Sequence, residues 1–132
     1  MYEEFEEIVK GVAENLRLDD MNIGEKALEM PAIKHFWVAK FIRAKIELKK
    51  KENERTELIK KIESNPEQFS EVALSKEGLR RAVMSSPKMK ELTTRIDELN
   101  MIIEYLNDAK FVLGRATDDI KNFIELKKLE QL

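Results

Sequence analysis

"LTTRIDELNMIIEYLNDAKFVLGRATDDIKNFI", residues 92–124, decides the fold. Leu92, Ile96, Leu99, Ile103, Leu106, Lys110, Leu113, Thr117, Ile120 and Ile124 alternate steps of four and three over more than four heptads. Such a stripe keeps to one side of an α-helix and repeats as a coiled-coil seam does. A second set, Ile102, Ala109, Val112, Ala116 and Phe123, widens the apolar face beyond a two-stranded seam and implies more than one neighbouring helix. Packing inside the chain and self-assembly both use such a face, and both can hold at once. Gly114, then Thr117 before Asp118 and Asp119, looks like a stop and restart, yet the heptad phase runs through it.

Working outward, caps set the other boundaries. Ser86 followed by Pro87 is an N-cap with proline at the first helical position, so the last helix is expected over 87–130. "KEGLRRAVM", with Ser75 as its cap, predicts a short helix over 75–85. "NIGE" offers Asn22 as an N-cap with Glu25 three residues on, and Pro31 suits the first turn of a long helix expected over 31–63, which "SNPEQF" then breaks. Phe5, Ile8, Val9, Val12 and Leu16 share one helical face in the acidic N-terminal segment 1–30, where Gly11 weakens the helix. The expected fold is all-α, a single helical domain with two long helices and shorter ones.

Composition agrees. With four Gly, three Pro and 38% charged residues, the 132-residue chain reads as helical throughout. No Cys excludes disulfides, and a single His excludes zinc sites built from Cys or His. "MYEEFEEIVK" lacks the basic and apolar regions of a signal peptide, and no run approaches the roughly 18 apolar residues of a membrane span, so a soluble intracellular protein is expected. Adjacent acids such as Glu3/Glu4, Glu6/Glu7 and Asp118/Asp119 diverge on a helix, and no nucleophile motif or Gly-rich phosphate loop accompanies them. His35 stands alone, and Trp37 lies on the apolar face as a core residue. No enzyme is expected, and no metal or cofactor.

The net charge of −2 hides strong segregation. Residues 1–30 carry nine acids against three bases, residues 31–62 ten bases against four acids, and residues 79–95 five bases against one acid. Basic segments of this kind bind phosphate chains even in a mildly acidic molecule. On the basic helix, Trp37, Phe41, Ala44 and Leu48 form a narrow face to which Ile59 and Ile62 return, and "LKKKENERTE", residues 48–57, interrupts it with Lys51 and Arg55. A cation in an apolar seam is costly unless paired or wet. Either these two meet acids such as Glu104 or Asp108, or they line an open surface that accepts an anion. Elsewhere on this helix, Arg43 with Glu47, Lys50 with Glu54 and Glu57 with Lys61 stand at spacings that allow self-pairing.

"MPAIKHFWVAKFIRAKIELKKKE", "LIKKIES" and the terminal "GRATDDIKNFIELKKLEQL" resemble the UvsY-type recombination mediators of T4-like bacteriophages, over roughly residues 20–130. The carrying features are a proline opening a long basic helix, a variable break, and a heptad helix ending in Arg115, Ile120, Lys121, Asn122 and Ile124. The resemblance implies a non-catalytic protein of the infected bacterial cytoplasm that forms ring-like homo-oligomers. It further implies binding to single-stranded DNA and loading of the phage recombinase onto DNA covered by single-strand-binding protein. Lys40, Arg43, Lys49, Lys50, Lys51, Arg55, Lys60, Lys61, Arg80 and Arg81 are then the candidate DNA-facing residues. Leu92, Ile96, Leu99, Ile103, Leu106, Leu113, Ile120 and Ile124 are the candidate oligomerisation residues. The alternative is a helical adaptor or scaffold that binds only protein partners through its coiled-coil face.

Overall fold

The computed structural model describes residues 2–64 and 76–131. Four helices account for nearly all of them, with no strand among the described residues: α1 (Glu3–Leu16), α2 (Ile23–Ser64), α3 (Lys76–Met84) and α4 (Pro87–Glu130). Contacts gather these into two compact units. One holds residues 45–64 and 76–100, and the other residues 2–44 and 101–131, so α2 and α4 each contribute to both.

α4 begins where its cap requires. The Ser86 hydroxyl accepts the backbone N–H of Met89 at 3.2 Å, satisfying a donor in the first turn that has no helical partner. The helix is continuous through Gly114, where an added Cβ would meet nothing within 4 Å. Leu92, Leu99, Leu106, Leu113 and Ile120, seven residues apart, are all buried. Their companions change along the helix. Ile96 is buried in the first half, but further on Ile102, Ala109 and Ala116 are buried in place of Ile103, Lys110 and Thr117. Lys110 and Thr117 are polar and stay exposed, while the alanines one position earlier are buried, Ala116 in a cluster with Met30 and Ile120. Val112, from the second expected set, is instead 49% exposed.

α2 starts eight residues earlier than the expected 31, directly after Asn22. Asp19 accepts the backbone N–H groups of Met21 at 2.8 Å and Asn22 at 2.9 Å, and Asn22 Oδ1 accepts that of Asp19 at 2.9 Å. Those backbone donors hold the Asp19 carboxyl below its ordinary value. Pro31 therefore lies inside α2, where it cannot donate to the carbonyl of Ala27. Such a proline costs about 3 kcal/mol. Burial on either side offsets it: Met30 packs with Ala116 and Ile120, and Ile23 and Ile33 lean on the same cluster. α3 was expected over 75–85 and occupies Lys76–Met84; its expected cap, Ser75, lies outside the described residues.

In the unit holding α1, Ile8 and Val12 are buried and the Phe5 ring meets Tyr105 edge-on at 5.9 Å. Trp37 is 6% exposed, and its indole N–H donates to Asn15 Oδ1 at 2.8 Å. Gly11 makes room for that ring: a Cβ there would stand 2.9 Å from Trp37 Cη2 and 3.1 Å from Cζ2. The glycine that weakens α1 intrinsically is thus required by packing. Gly11→Leu is expected to destabilise by about 2 kcal/mol, since a buried, hydrogen-bonded indole cannot swing aside cheaply. In a thermal melt this reads as a loss of roughly 5–10 °C. A wild-type melt would show that the indole moves at no cost.

In the other unit, Ile62, Val83 and Met89 form the buried cluster that joins α2, α3 and α4, with Leu58, Ile59 and Leu79 packed against it.

Candidate nucleic-acid interface

Charge divides along the same line as the two units. Residues 45–64 and 76–100 carry 13 Lys and Arg against 9 Asp and Glu, whereas residues 2–44 and 101–131 carry 11 against 15. The basic unit contains most of the candidate DNA-facing residues. Lys49, Lys50, Lys60 and Lys61 are exposed on α2, Lys51 and Arg55 are half-buried, and Arg80 and Arg81 are exposed on α3. Lys40, half-buried, and Arg43, exposed, belong to the acidic unit.

The pairings expected along α2 do not form. Arg95 of α4 takes Glu47, and its other guanidinium nitrogen donates to Glu98 Oε1 at 2.7 Å. Glu98 is 6% exposed, and a carboxylate so placed needs that partner. Lys51 pairs with Glu54 at 3.6 Å, three residues on, rather than with Glu104 or Asp108. A forked guanidinium bound to two carboxylates outcompetes a flexible surface pair, whose value is only about 0.3–0.5 kcal/mol. Arg43 and Lys50 are consequently left without an ion pair to any described residue, and Lys61 makes none either, although Glu57 is not engaged elsewhere. Arg55 also makes none, so it sits half-buried facing water.

Two open grooves border the α2 and α4 segments of this unit. The larger, about 850 Å³, is lined by Lys50, Lys60, Lys61 and Lys88 with Asn53, Ser64, Leu58, Leu92, Glu54 and Glu57. The second, about 520 Å³, is lined by Lys51, Lys88, Lys90 and Arg95 with Thr94, Leu92, Glu47, Glu91 and Glu98. Sequence reasoning singled out neither Lys88, Lys90 nor Arg95. The signal was there in the excess of bases over 79–95, but the heptad reading of α4 drew attention to its apolar side alone. Arg80 borders a separate apolar hollow of about 260 Å³ with Ile59, Leu79, Val83 and Met84.

Of the candidate oligomerisation residues, Leu92, Ile96, Leu99, Leu106, Leu113 and Ile120 are buried within the chain. Ile103 is half-buried and Ile124 is 37% exposed. Of the two roles open to this face, internal packing accounts for the burial. Large apolar side chains remain exposed on both long helices: Leu28, Val38 and Ile42 on α2, turned away from the buried Met30, Trp37 and Ala44, and Phe111, Val112, Leu126 and Leu129 on α4.

No group of three or more His, Cys, Asp or Glu among the described residues could hold a metal ion, and none of the helices is long and apolar enough to cross a membrane.

No family model matches the chain, and no curated protein is similar to it in sequence. A solved structure shares its fold. The crystal structure of the bacteriophage T4 recombination mediator protein UvsY aligns with a TM-score of 0.71, over 96% of this chain and 97% of that one, at 13% identity. At that identity the likeness shows the fold, an all-helical arrangement that both chains adopt over nearly their whole length.

Proposed function

We propose that the chain is a non-catalytic recombination mediator that binds single-stranded DNA and helps load a recombinase onto DNA coated with single-strand-binding protein. The observation that carries this reading is the fold shared with the T4 mediator over nearly all of both chains. The uncommitted lysines of the basic unit support it. Phosphate attraction is independent of sequence, which suits a protein that must act anywhere on a strand. Ring-like self-assembly belongs to the same reading, because copies repeating one modest basic surface along a strand gain avidity without strong individual contacts. With the heptad face packed inside the chain, the apolar side chains left exposed for such assembly are Leu28, Val38 and Ile42 on α2 and Phe111, Val112, Leu126 and Leu129 on α4. The same residues would serve a protein-only adaptor.

Titration with a labelled single-stranded oligonucleotide separates the two. A mediator binds saturably, with affinity falling against salt at a slope of about −0.7 per neutralised phosphate. In a purified system it shortens the lag of recombinase filament formation on coated DNA. Absence of oligonucleotide binding at low salt would leave the adaptor.

A further inference from the structure

Lys88 lines both grooves of the basic unit, facing Lys50, Lys60 and Lys61 in the larger and joined by Lys90 in the smaller. None of these five lysines makes an ion pair with a described residue; of the carboxylates that line the grooves, Glu47 and Glu98 are bound by Arg95 and Glu54 by Lys51, which leaves Glu57 and Glu91 as the counter-charges. Five ammonium groups against two unengaged carboxylates leave the grooves with a net positive charge, which attracts an anion able to bridge the lysines.

What the grooves lack is equally informative. Among the described residues of this unit there is no Phe, Tyr or Trp, so neither groove presents an aromatic face from them on which to stack a base. Stacking on a guanidinium is the usual substitute. Arg95, the arginine of the grooves, is already bound to two carboxylates. The described aromatic residues all belong to the acidic unit, where Trp37 is buried and hydrogen-bonded.

We infer that Lys88 and Lys90 bind phosphates of the strand together with Lys50, Lys60 and Lys61, and that this surface holds single-stranded DNA by its backbone without stacking its bases. The inference rests on the DNA-binding reading above and specifies how the same site recognises its ligand. Lys88 and Lys90 supply the α4 side of a cradle whose α2 side is the lysine cluster. Asn53 and Thr94 also line the grooves and can donate to phosphate oxygens.

The test compares an intact labelled oligonucleotide with one of equal length whose nucleotides are all abasic, titrated against the full chain across a salt series. The abasic strand is expected to bind within about threefold of the intact one, because stacking, worth roughly tenfold per base or more, is not in use. Lys88→Ala with Lys90→Ala is expected to melt as wild type and to flatten the salt slope by about 1.4, two contacts' worth. An abasic strand bound tenfold or more weakly overturns the inference, as does a double variant with the wild-type slope; in either case binding of the intact strand keeps the DNA-binding reading alive. Failure of the intact strand to bind removes both.

Discussion

Leu99→Asp abolishes the cooperative thermal transition of the chain. Leu99 is 1% exposed, the second of the five residues in the period-seven line that α4 buries from Leu92 to Ile120. Losing a buried leucine side chain costs about 2–5 kcal/mol, and forcing a carboxyl into its place adds a further few kcal/mol of desolvation even if the group takes up a proton. Against a total stability of about 5–15 kcal/mol, the sum leaves little. This outcome separates the two roles open to the heptad face. An intermolecular seam predicts a folded chain that sediments as a smaller species; an internal one predicts loss of far-ultraviolet helicity at ordinary temperature. Ile103→Asp, at the half-buried neighbouring position, is expected to be milder, because its side chain can turn its carboxylate to water. If Leu99→Asp retains the wild-type melt and only the oligomer changes, the internal assignment is wrong.

The limits of α4 were legible because they rest on local chemistry. A serine before a proline is a start signal carried by two adjacent residues, and Ser86 does cap the helix, whose observed span is 87–130. The start of α2 was misplaced because two start signals competed. Pro31 is the stronger letter, but Asn22 and the turn built by Asp19 are the stronger structure once Met30 and Ile33 have a core to enter. The phase of the buried seam was half legible. Its period-seven line came through intact, while the choice between Lys110 and Ala109, or Thr117 and Ala116, depended on tertiary neighbours such as Met30, which packs on Ala116. The least legible feature was the pairing of charges. Helical spacing proposed Arg43 with Glu47 and Lys50 with Glu54; the acids were claimed by Arg95, forty-eight residues distant from Glu47, and by Lys51. A tertiary partner of that kind leaves no trace in local spacing. It also changes the functional reading, because cations that looked self-neutralised are free to meet another anion.

That freedom sets the second large effect. Lys50→Glu, Lys60→Glu and Lys61→Glu together reverse the lysines that α2 contributes to the larger groove, all of them exposed and none ion-paired with a described residue. At contact distance in water, each reversal exchanges an attraction of about 1 kcal/mol for a repulsion of similar size. Salt screens part of this, so the triple variant is expected to lose roughly two to three orders of magnitude in affinity for single-stranded DNA near 0.05 M salt. Its salt slope should also fall by about 2, since three phosphate contacts vanish. Stability should barely move. Exposed charge changes away from the core are usually within about 0.5 kcal/mol each, and removing positive charge from a crowded cluster opposes any loss. A melt and a salt series on the same preparation therefore decide the matter. Unaltered oligonucleotide affinity with a normal melt would remove the groove from the DNA-binding surface. It would shift attention to Lys40 and Arg43 in the acidic unit, where exposed Phe36 could stack bases beside them.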